Sequence, residues 1–300
     1  MHDVTIGIPA YNEEQDILNL LQSLEDQNTH NFAISEVIVS DDSTDSTPDI
    51  ISKFAARSPL KVTMHHHDTR RGTAAAWNEI FKQASGDIIV LYDADTIPHP
   101  LCTEQLASRL GERVALCASN SQPVQSSGIA GRASTFISNW LRSIRLAGLS
   151  QYTVMGRGLA IDSRVAKNIQ IPMDIIAIDL YLQCKILETG MNIKYHDDAV
   201  VYFKPASSMQ DLASQVVRAT NGHSQIKHYV SKFKIGLPIQ VAIVEAVKNT
   251  VRDPLGALSV AIGFSAIPYY RSRLTGTGTA KWPIAKSSKE IDYQQLKARF

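Results

Sequence analysis

Strand-like and helix-like stretches alternate four times within the first third of the chain, and this alternation limits the possible folds more than any other feature. Val4-Thr5-Ile6-Gly7-Ile8 reads as a strand closed by Pro9, and Ile17, Leu20, Leu21 and Leu24 then recur at helical spacing. Residues 36–39 form a second strand, after which Thr47-Pro48 is a helix-start signal and Ile50, Ile51 and Phe54 give the helix its apolar side. Residues 61–65 form a third strand. Arg70-Arg71-Gly72-Thr73 opens a third helix, with Ala76, Ile80, Phe81 and Ala84 inward. The fourth strand, Ile88-Ile89-Val90-Leu91, is wholly apolar and mostly β-branched, as a strand buried on both faces must be. The pattern predicts an α/β, Rossmann-like, mostly parallel sheet with helices on both faces.

In such a sheet, ligands lie beyond the carboxyl ends of the strands. The distinctive polar residues of this chain stand at those ends: Asn12 and Glu13, Asp41 and Asp42, Arg71 and Gly72, Asp93 and Asp95. Asp93 and Asp95 are two residues apart where the fourth strand ends, so extended backbone would point both to one side. One or two carboxylates, completed by phosphate oxygens, are a usual setting for Mg²⁺ beside a nucleotide. The same residues also fit a plainer reading, in which Asp95 and Thr96 cap a helix starting near Pro98. No glycine fingerprint follows the first strand and no P-loop is present, which argues against NAD, FAD and ordinary ATPase chemistry.

The rest of the composition narrows the class. An apolar fraction of 44% and a charged fraction of 20% over 300 residues belong to a folded globular chain with ample core. The net charge of +1 provides no field for nucleic acid. Cys102, Cys117 and Cys184 are odd in number and not closely spaced, which points to a reducing compartment rather than a disulfide or zinc framework. Met1-His2-Asp3-Val4 lacks a basic stretch followed by an apolar run, so no secretory leader is expected. His65-His66-His67 invites a metal reading, but neighbours on a strand face opposite ways and cannot readily share one ion. His196, His223 and His228 are expected to be ordinary satisfied or exposed histidines, and Trp77 and Trp140 core residues rather than sugar-stacking platforms.

Several of these segments, taken in order, resemble the nucleotide-sugar half of the family 2 glycosyltransferases. They are Ile8-Pro9-Ala10-Tyr11-Asn12-Glu13-Glu14, Val39-Ser40-Asp41-Asp42-Ser43-Thr44-Asp45, Arg71-Gly72 with Asn78, and Asp93-Ala94-Asp95. Downstream, Gly156-Arg157-Gly158-Leu159-Ala160-Ile161-Asp162 is similar to that family's glycine-rich acceptor-side loop, and Ile178-Asp179-Leu180 to its Glu-Asp motif. Asp198-Ala199-Val200-Val201-Tyr202 and Gln215-Val216-Val217-Arg218 resemble the family's next two elements. The chain departs from the family in three places. Ser40-Asp41-Asp42-Ser43 stands for Asp-Asp-Gly-Ser, so Asp41 takes the place of the second Asp. Ile178 replaces the Glu of Glu-Asp. Ala219 replaces the Trp of Gln-x-x-Arg-Trp, which speaks against a processive synthase.

The resemblance implies an inverting GT-A enzyme of the non-processive type. It implies that Pro9, Tyr11 and Glu13 shape the base and ribose pocket, and that Asp41 accepts a hydrogen bond from a uracil or guanine imide. The alternative for Asp41, Asp42 and Ser43 is a turn that caps the second helix. Arg71 is expected near the diphosphate, where Gly72 lets the backbone approach, and Arg218 belongs to the same donor site. Asp95 is expected to hold Mg²⁺ or Mn²⁺, with Asp93 near the ribose or sharing the ion. Asp179 is the candidate general base, and Asp174 its competitor.

Composition changes after about Lys234. Residues 236–251 are apolar with one acid and one base, Glu245 and Lys248, and Asp253-Pro254 reads as a cap followed by a first helical position. Residues 255–267 are nearly uncharged but short of the ~20 residues a spanning helix needs. Tyr269, Tyr270, Arg271 and Arg273 come next, like an interfacial anchor. Residues 235–274 are therefore expected to lie against a membrane surface or to pack on the catalytic domain or a second subunit, with membrane contact favoured. The expected division is a catalytic domain over 1–232 (donor half 1–97, acceptor half 98–232), a helical segment over 233–274, and a loosely held polar tail over 275–300.

Three functions fit. The first is an inverting, metal-dependent transfer from a UDP- or GDP-sugar to a lipid-linked or glycan acceptor at the cytoplasmic face of a membrane. The second is a polyprenyl-phosphate glycosyl transferase, which suits the Ile178 replacement and the apolar segment. The third is a catalytically idle nucleotide-sugar-binding partner subunit.

Overall fold

The computed structural model describes residues 2–149, 156–273, 280–281 and 285–300. Its sheet holds eight strands among the described residues: β1 (His2–Ala10), β2 (Phe32–Asp41), β3 (Val62–His66), β4 (Ile88–Tyr92), β5 (Thr96–Pro98), β6 (Val114–Pro123), β7 (Gly158–Asp162) and β8 (Asn192–Phe203). Their order is β3-β2-β1-β4-β7-β6-β8-β5. The first four strands are mutually parallel, and β7 runs antiparallel to both β4 and β6. This is the GT-A arrangement the motifs implied. Pairing of β1 with β4 ends at Gly7 against Leu91, so Pro9 sits beyond the doubly paired stretch, where its missing N–H is tolerated.

Helices α1 (Ile17–Glu25), α2 (Thr47–Ala55) and α3 (Thr73–Gln83) connect the parallel strands. α4 (Cys102–Ala107), α5 (Gly128–Ile144), α6 (Ser163–Ala166), α7 (Ile178–Glu188), α8 (Met209–Gln225) and α9 (Lys227–Lys232) follow in the second part of the chain. β4 divides its side chains as the pleat requires. Ile88, Val90 and Tyr92 enter a core with α1, α2 and α4, while Ile89 and Leu91 enter a second core with α3 and α7. Each fully buried aliphatic side chain adds about 1.5–3 kcal/mol, which is why the central strands are uniformly apolar. Gly7 lets α3 ride close on β1, since a Cβ there would stand 2.5 Å from the Ile80 side chain. Trp77 is 1% exposed and packs in the second core, as expected of a core residue.

The plainer reading of Asp95 and Thr96 fails. Thr96–Pro98 forms a strand paired with β8, and the next helix starts only at Cys102. The C-terminal part forms α10 (Ile239–Arg252) and α11 (Pro254–Arg271), packed on α5 and α8. Asp253 caps α11 through the Gly256 N–H at 2.8 Å, as its sequence suggested. Glu245 and Lys248 pair at 2.6 Å, and the Trp140 indole N–H reaches the Ala242 carbonyl at 2.9 Å. The outward face of the two helices leaves Ile239, Val244, Val247, Val251, Leu255 and Leu258 more than half exposed. No described helix is long and apolar enough to cross a membrane.

The expected loose tail differs most from the structure. Residues 275–279 lie outside the described residues, but 285–300 are packed. Ile291, Tyr293 and Leu296 bury against Ile97, and a short helix α12 (Tyr293–Lys297) is capped by Asp292. Three apolar side chains within six residues are too short a signal to stand out in a polar stretch, yet they suffice once a groove beside β5 receives them.

Candidate active site

The loop after β1 is pinned to the loop after β2. Asn12 takes a left-handed conformation (φ 55°), which asparagine tolerates better than most residues. Its N–H donates to the Ser43 hydroxyl at 2.8 Å, and its side-chain oxygen accepts from the Thr44 N–H at 2.8 Å. The neighbouring Glu13 N–H donates to the Thr47 hydroxyl at 2.8 Å, so Glu13 is carried to the rim on a fixed turn.

Asp41 is fully buried. One oxygen accepts from the Ser43 hydroxyl at 2.5 Å and the other lies 2.6 Å from His66 Nδ1. Each oxygen of Asp41 thus already has one partner within the protein. His67 turns the other way, 3.1 Å from Glu79. The two histidines thus serve separate carboxylates, as neighbours on a strand must.

Arg71 is likewise engaged within the protein. Its guanidinium donates through Nε to Asp42 at 3.0 Å and through Nη2 to the Ser40 hydroxyl at 3.0 Å and to Glu79 at 2.9 Å, so it clamps the loops together. Asp42 further accepts from the backbone N–H of Arg71 at 2.5 Å and of Gly72 at 2.9 Å. Gly72 has φ 96°, a conformation that suits glycine, and it launches α3. Burial opposes the charge on Glu79, but hydrogen bonds from Arg71, Ser40 and His67 outweigh it and hold the carboxyl down at about 2. Arg70 lies across the Tyr11 ring, 4.1 Å from its centroid, and closes the side of the site next to Pro9 and Tyr11.

Asp93 and Asp95 stand at the carboxyl end of β4, both partly exposed. Asp95 keeps 30% of its side-chain surface, enough to receive a ligand, although it is deep enough that desolvation still opposes its charge. The Lys289 ammonium, 2.9 Å from Asp95 Oδ2, more than offsets this and holds the carboxyl low. Burial and the neighbouring Asp95 push Asp93 up, against the pull of Arg157 and Arg218. Burial and Asp95 likewise push Glu13 up to about 8, although the same ammonium contacts it at 2.8 and 2.6 Å.

The second part of the chain closes on these carboxylates. Arg157, in the glycine-rich loop before β7, stacks over Phe203 at 3.8 Å and feels Asp93, Asp95 and Asp179 together. A Cβ at Gly156 would stand 3.6 Å from both the Asp179 Cβ and the Trp77 ring, which locates Asp179 on the far wall. Asp179 lies in the first turn of α7 and Ile178 points into the core, so an apolar residue in the Glu position costs the packing nothing. Asp179 Oδ1 accepts the Leu180 N–H at 2.9 Å. Asp174 is exposed and joins none of the interactions around Asp93. Arg218 projects from α8 toward Asp93 and Arg157. α5 is fastened below by a two-pronged Arg142–Asp197 pair at 2.8 and 2.6 Å.

The structure therefore gathers Glu13, Asp93, Asp95, Asp179 and Arg218 at one rim, with Pro9 and Tyr11 flanking them. Beside it, Asp41 is tied to Ser43 and His66, Arg71 to Asp42 and Glu79, and the Gly72 N–H to Asp42. Sequence reasoning missed Arg157, Glu79, His66 and Lys289. Arg157 lay within a quoted motif, but Lys289 is 276 residues from Glu13 and carried no local signal.

No set of three or more histidine, cysteine or acidic side chains converges into a metal cage among the described residues. Asp95, with Asp93 beside it, nevertheless fits a divalent ion whose shell is completed by ligand oxygens, and a cation, the Lys289 ammonium, already rests on it.

A parallel α/β half, a mixed half in which β7 is antiparallel while β6 and β8 are parallel, and acidic residues at their junction define a GT-A glycosyltransferase. The chain belongs to glycosyl transferase family 2, whose profile matches residues 5–156. An uncharacterised protein of Methanocaldococcus jannaschii is 25% identical over 227 residues, covering 70% of this chain and 96% of that one. A dolichol-phosphate mannosyltransferase of Pyrococcus furiosus is 33% identical over 97 residues, which is 32% of this chain and 26% of that protein. Among solved structures, the mannosyltransferase PcManGT of Pyrobaculum calidifontis, in complex with GDP-Man and Mn²⁺, superposes with a TM-score of 0.58 at 21% identity. That match covers 93% of this chain and 85% of the other.

Proposed function

We propose that the protein transfers a sugar, with inversion, from a UDP- or GDP-sugar to a lipid-linked or glycan acceptor, and that it needs Mg²⁺ or Mn²⁺. The observation that carries this reading is the convergence of Asp93 and Asp95 from the donor half with Asp179 from the acceptor half around Arg157. The names of the mannosyltransferase complex and of the Pyrococcus relative point the same way.

Tyr11 and Pro9 bound the nucleoside, with Asp41 orienting His66 at the pocket edge. Arg157 and Arg218 draw in the diphosphate, and Asp95, aided by Asp93, holds the ion. When bound there, the ion neutralises charge on the leaving diphosphate. Asp179, steadied by the Leu180 N–H, takes the proton from an acceptor hydroxyl as its oxygen bonds to the anomeric carbon and the carbon–phosphate-oxygen bond breaks on the opposite side. A lipid phosphate acceptor is the second reading, favoured by Ile178 in the Glu position. Such a nucleophile is already anionic and can do without the base.

The segment 235–274 then serves as a peripheral contact with an anionic membrane surface. Its exposed apolar row is edged by Lys248, Arg252, Arg271 and Arg273, all exposed, a pattern that suits anionic headgroups above an apolar layer.

The test is nucleotide release from a panel of sugar nucleotides with Mn²⁺, with and without polyprenyl phosphates. Asp179→Asn is expected to lose about 10²–10⁴-fold in rate with a hydroxyl acceptor and to keep transfer to a phosphate. Full activity of Asp179→Asn on a hydroxyl would remove it from the mechanism. Donor binding without turnover on any acceptor would identify an idle partner subunit.

A further inference from the structure

The C-terminal segment crosses the mouth of the proposed donor site and is fastened on both banks. Ser287 donates through its N–H at 2.9 Å and its hydroxyl at 2.6 Å to Asp211 at the start of α8. The N–H groups of Ser207 and Ser208 donate to the Ser287 hydroxyl at 3.1 Å. On the opposite bank, the N–H groups of Glu290 and Ile291 donate to Asp16 at 3.1 and 2.9 Å, and Tyr293 and Lys297 both reach Asp26. Between these anchors lies Lys289, its side chain only 9% exposed and its ammonium on Glu13 and Asp95. Its carbonyl accepts from Lys204 at 2.6 Å. The next residue, Glu290, is left-handed (φ 71°) without being glycine, and such strain persists only where the surroundings impose it.

The position of the ammonium matters because a divalent ion held by Asp95 would have to share that carboxylate with it. A metal–oxygen bond of about 2.1 Å and an ammonium at 2.9 Å on one oxygen would set three positive charges within a few ångströms of each other. The two cations repel, so each weakens the other's hold on the carboxylate.

We propose that Lys289 is a built-in counter-cation at Asp95, and that residues 285–300 form a strap which the incoming divalent ion and nucleotide must lift from the site. This rests on the reading of Asp95 as the ion's ligand. The empty-handed enzyme is thereby held shut with its acidic cluster neutralised, and the donor complex opens it by replacing one cation with another.

The test is a Mn²⁺ titration of the full chain, followed by the paramagnetic resonance signal of free Mn²⁺. Lys289→Met is expected to bind Mn²⁺ at least about tenfold more tightly than the wild type, equivalent to about 1.4 kcal/mol. Tyr293→Phe, which leaves every charge in place and removes one anchor, is expected to gain in the same direction by less, and serves if Lys289→Met fails to fold. In the wild type, hydrogen exchange at the Glu290 and Ile291 amides is expected to quicken when Mn²⁺ and nucleotide are added. Equal or weaker Mn²⁺ affinity in both variants, with Asp95→Asn still losing the ion, would overturn the strap and leave the metal site standing. Binding no better than Asp95→Asn in every protein would remove the metal site and the strap together.

Discussion

Asp42 offers the sharpest test of how the donor rim is built. Replacing it by alanine removes three hydrogen bonds, from the Arg71 N–H, the Arg71 side chain and the Gly72 N–H. Each bond to a charged group is worth about 1.5–3 kcal/mol where nothing replaces it. Two circumstances reduce the sum. Arg71 keeps Glu79 and the Ser40 hydroxyl, so its charge is not stranded, and the freed N–H groups lie on partly exposed residues that water can reach. A net loss of about 3 kcal/mol results, which for a chain of this size lowers the melting temperature by roughly 6–12 °C. Asp42→Asn should fall between, since an amide oxygen still accepts but carries no charge. The assay is calorimetric or fluorescence-detected melting at neutral pH. An Asp42→Ala protein melting within about 2 °C of the wild type would refute the clamp as a source of rigidity.

Three further outcomes are expected. Glu79 titrates at about 2 when folded against 4.5 ordinarily, so its stabilisation is present above about pH 4.5 and is lost as pH falls through the folded value. The stability gap between wild type and Glu79→Gln should therefore shrink by about 3 kcal/mol from pH 6 to pH 2 in denaturant titrations, and a flat gap would contradict the assignment. Burial pushes the Cys102 and Cys117 thiols up to about 12 and Cys184 up to about 11, so all three should react slowly with a thiol reagent when native and promptly in denaturant. Val251→Glu with Leu258→Glu should weaken binding to anionic vesicles without shifting the melting temperature, whereas unchanged vesicle binding would assign the apolar face another role.

The donor half was legible because its signals are local. β4 could be read from four apolar letters, and Asp93 and Asp95 from the place where those letters stop. Asp179 and Arg218 were legible only through the family pattern, because their meeting with Asp93 depends on chain segments far apart in sequence. Asp41 and Arg71 were assigned to ligands, and the fold also gives each of them partners within the protein. The sequence displays their charges but not that they meet His66 and Asp42 in the fold. Lys289 was invisible for the same reason in stronger form. Its partners, Glu13 and Asp95, lie 276 and 194 residues away, and nothing around it but Ile291, Tyr293 and Leu296 says that the segment returns to the sheet.

The most direct test of the account is calorimetric titration of UDP and GDP into the wild type and Asp95→Ala, each with Mn²⁺ and again with chelator. The account predicts that one of the two nucleotides binds the wild type only when Mn²⁺ is present, and that Asp95→Ala abolishes this dependence along with the affinity. Nucleotide binding of equal strength in chelator, or unaltered in Asp95→Ala, would contradict it.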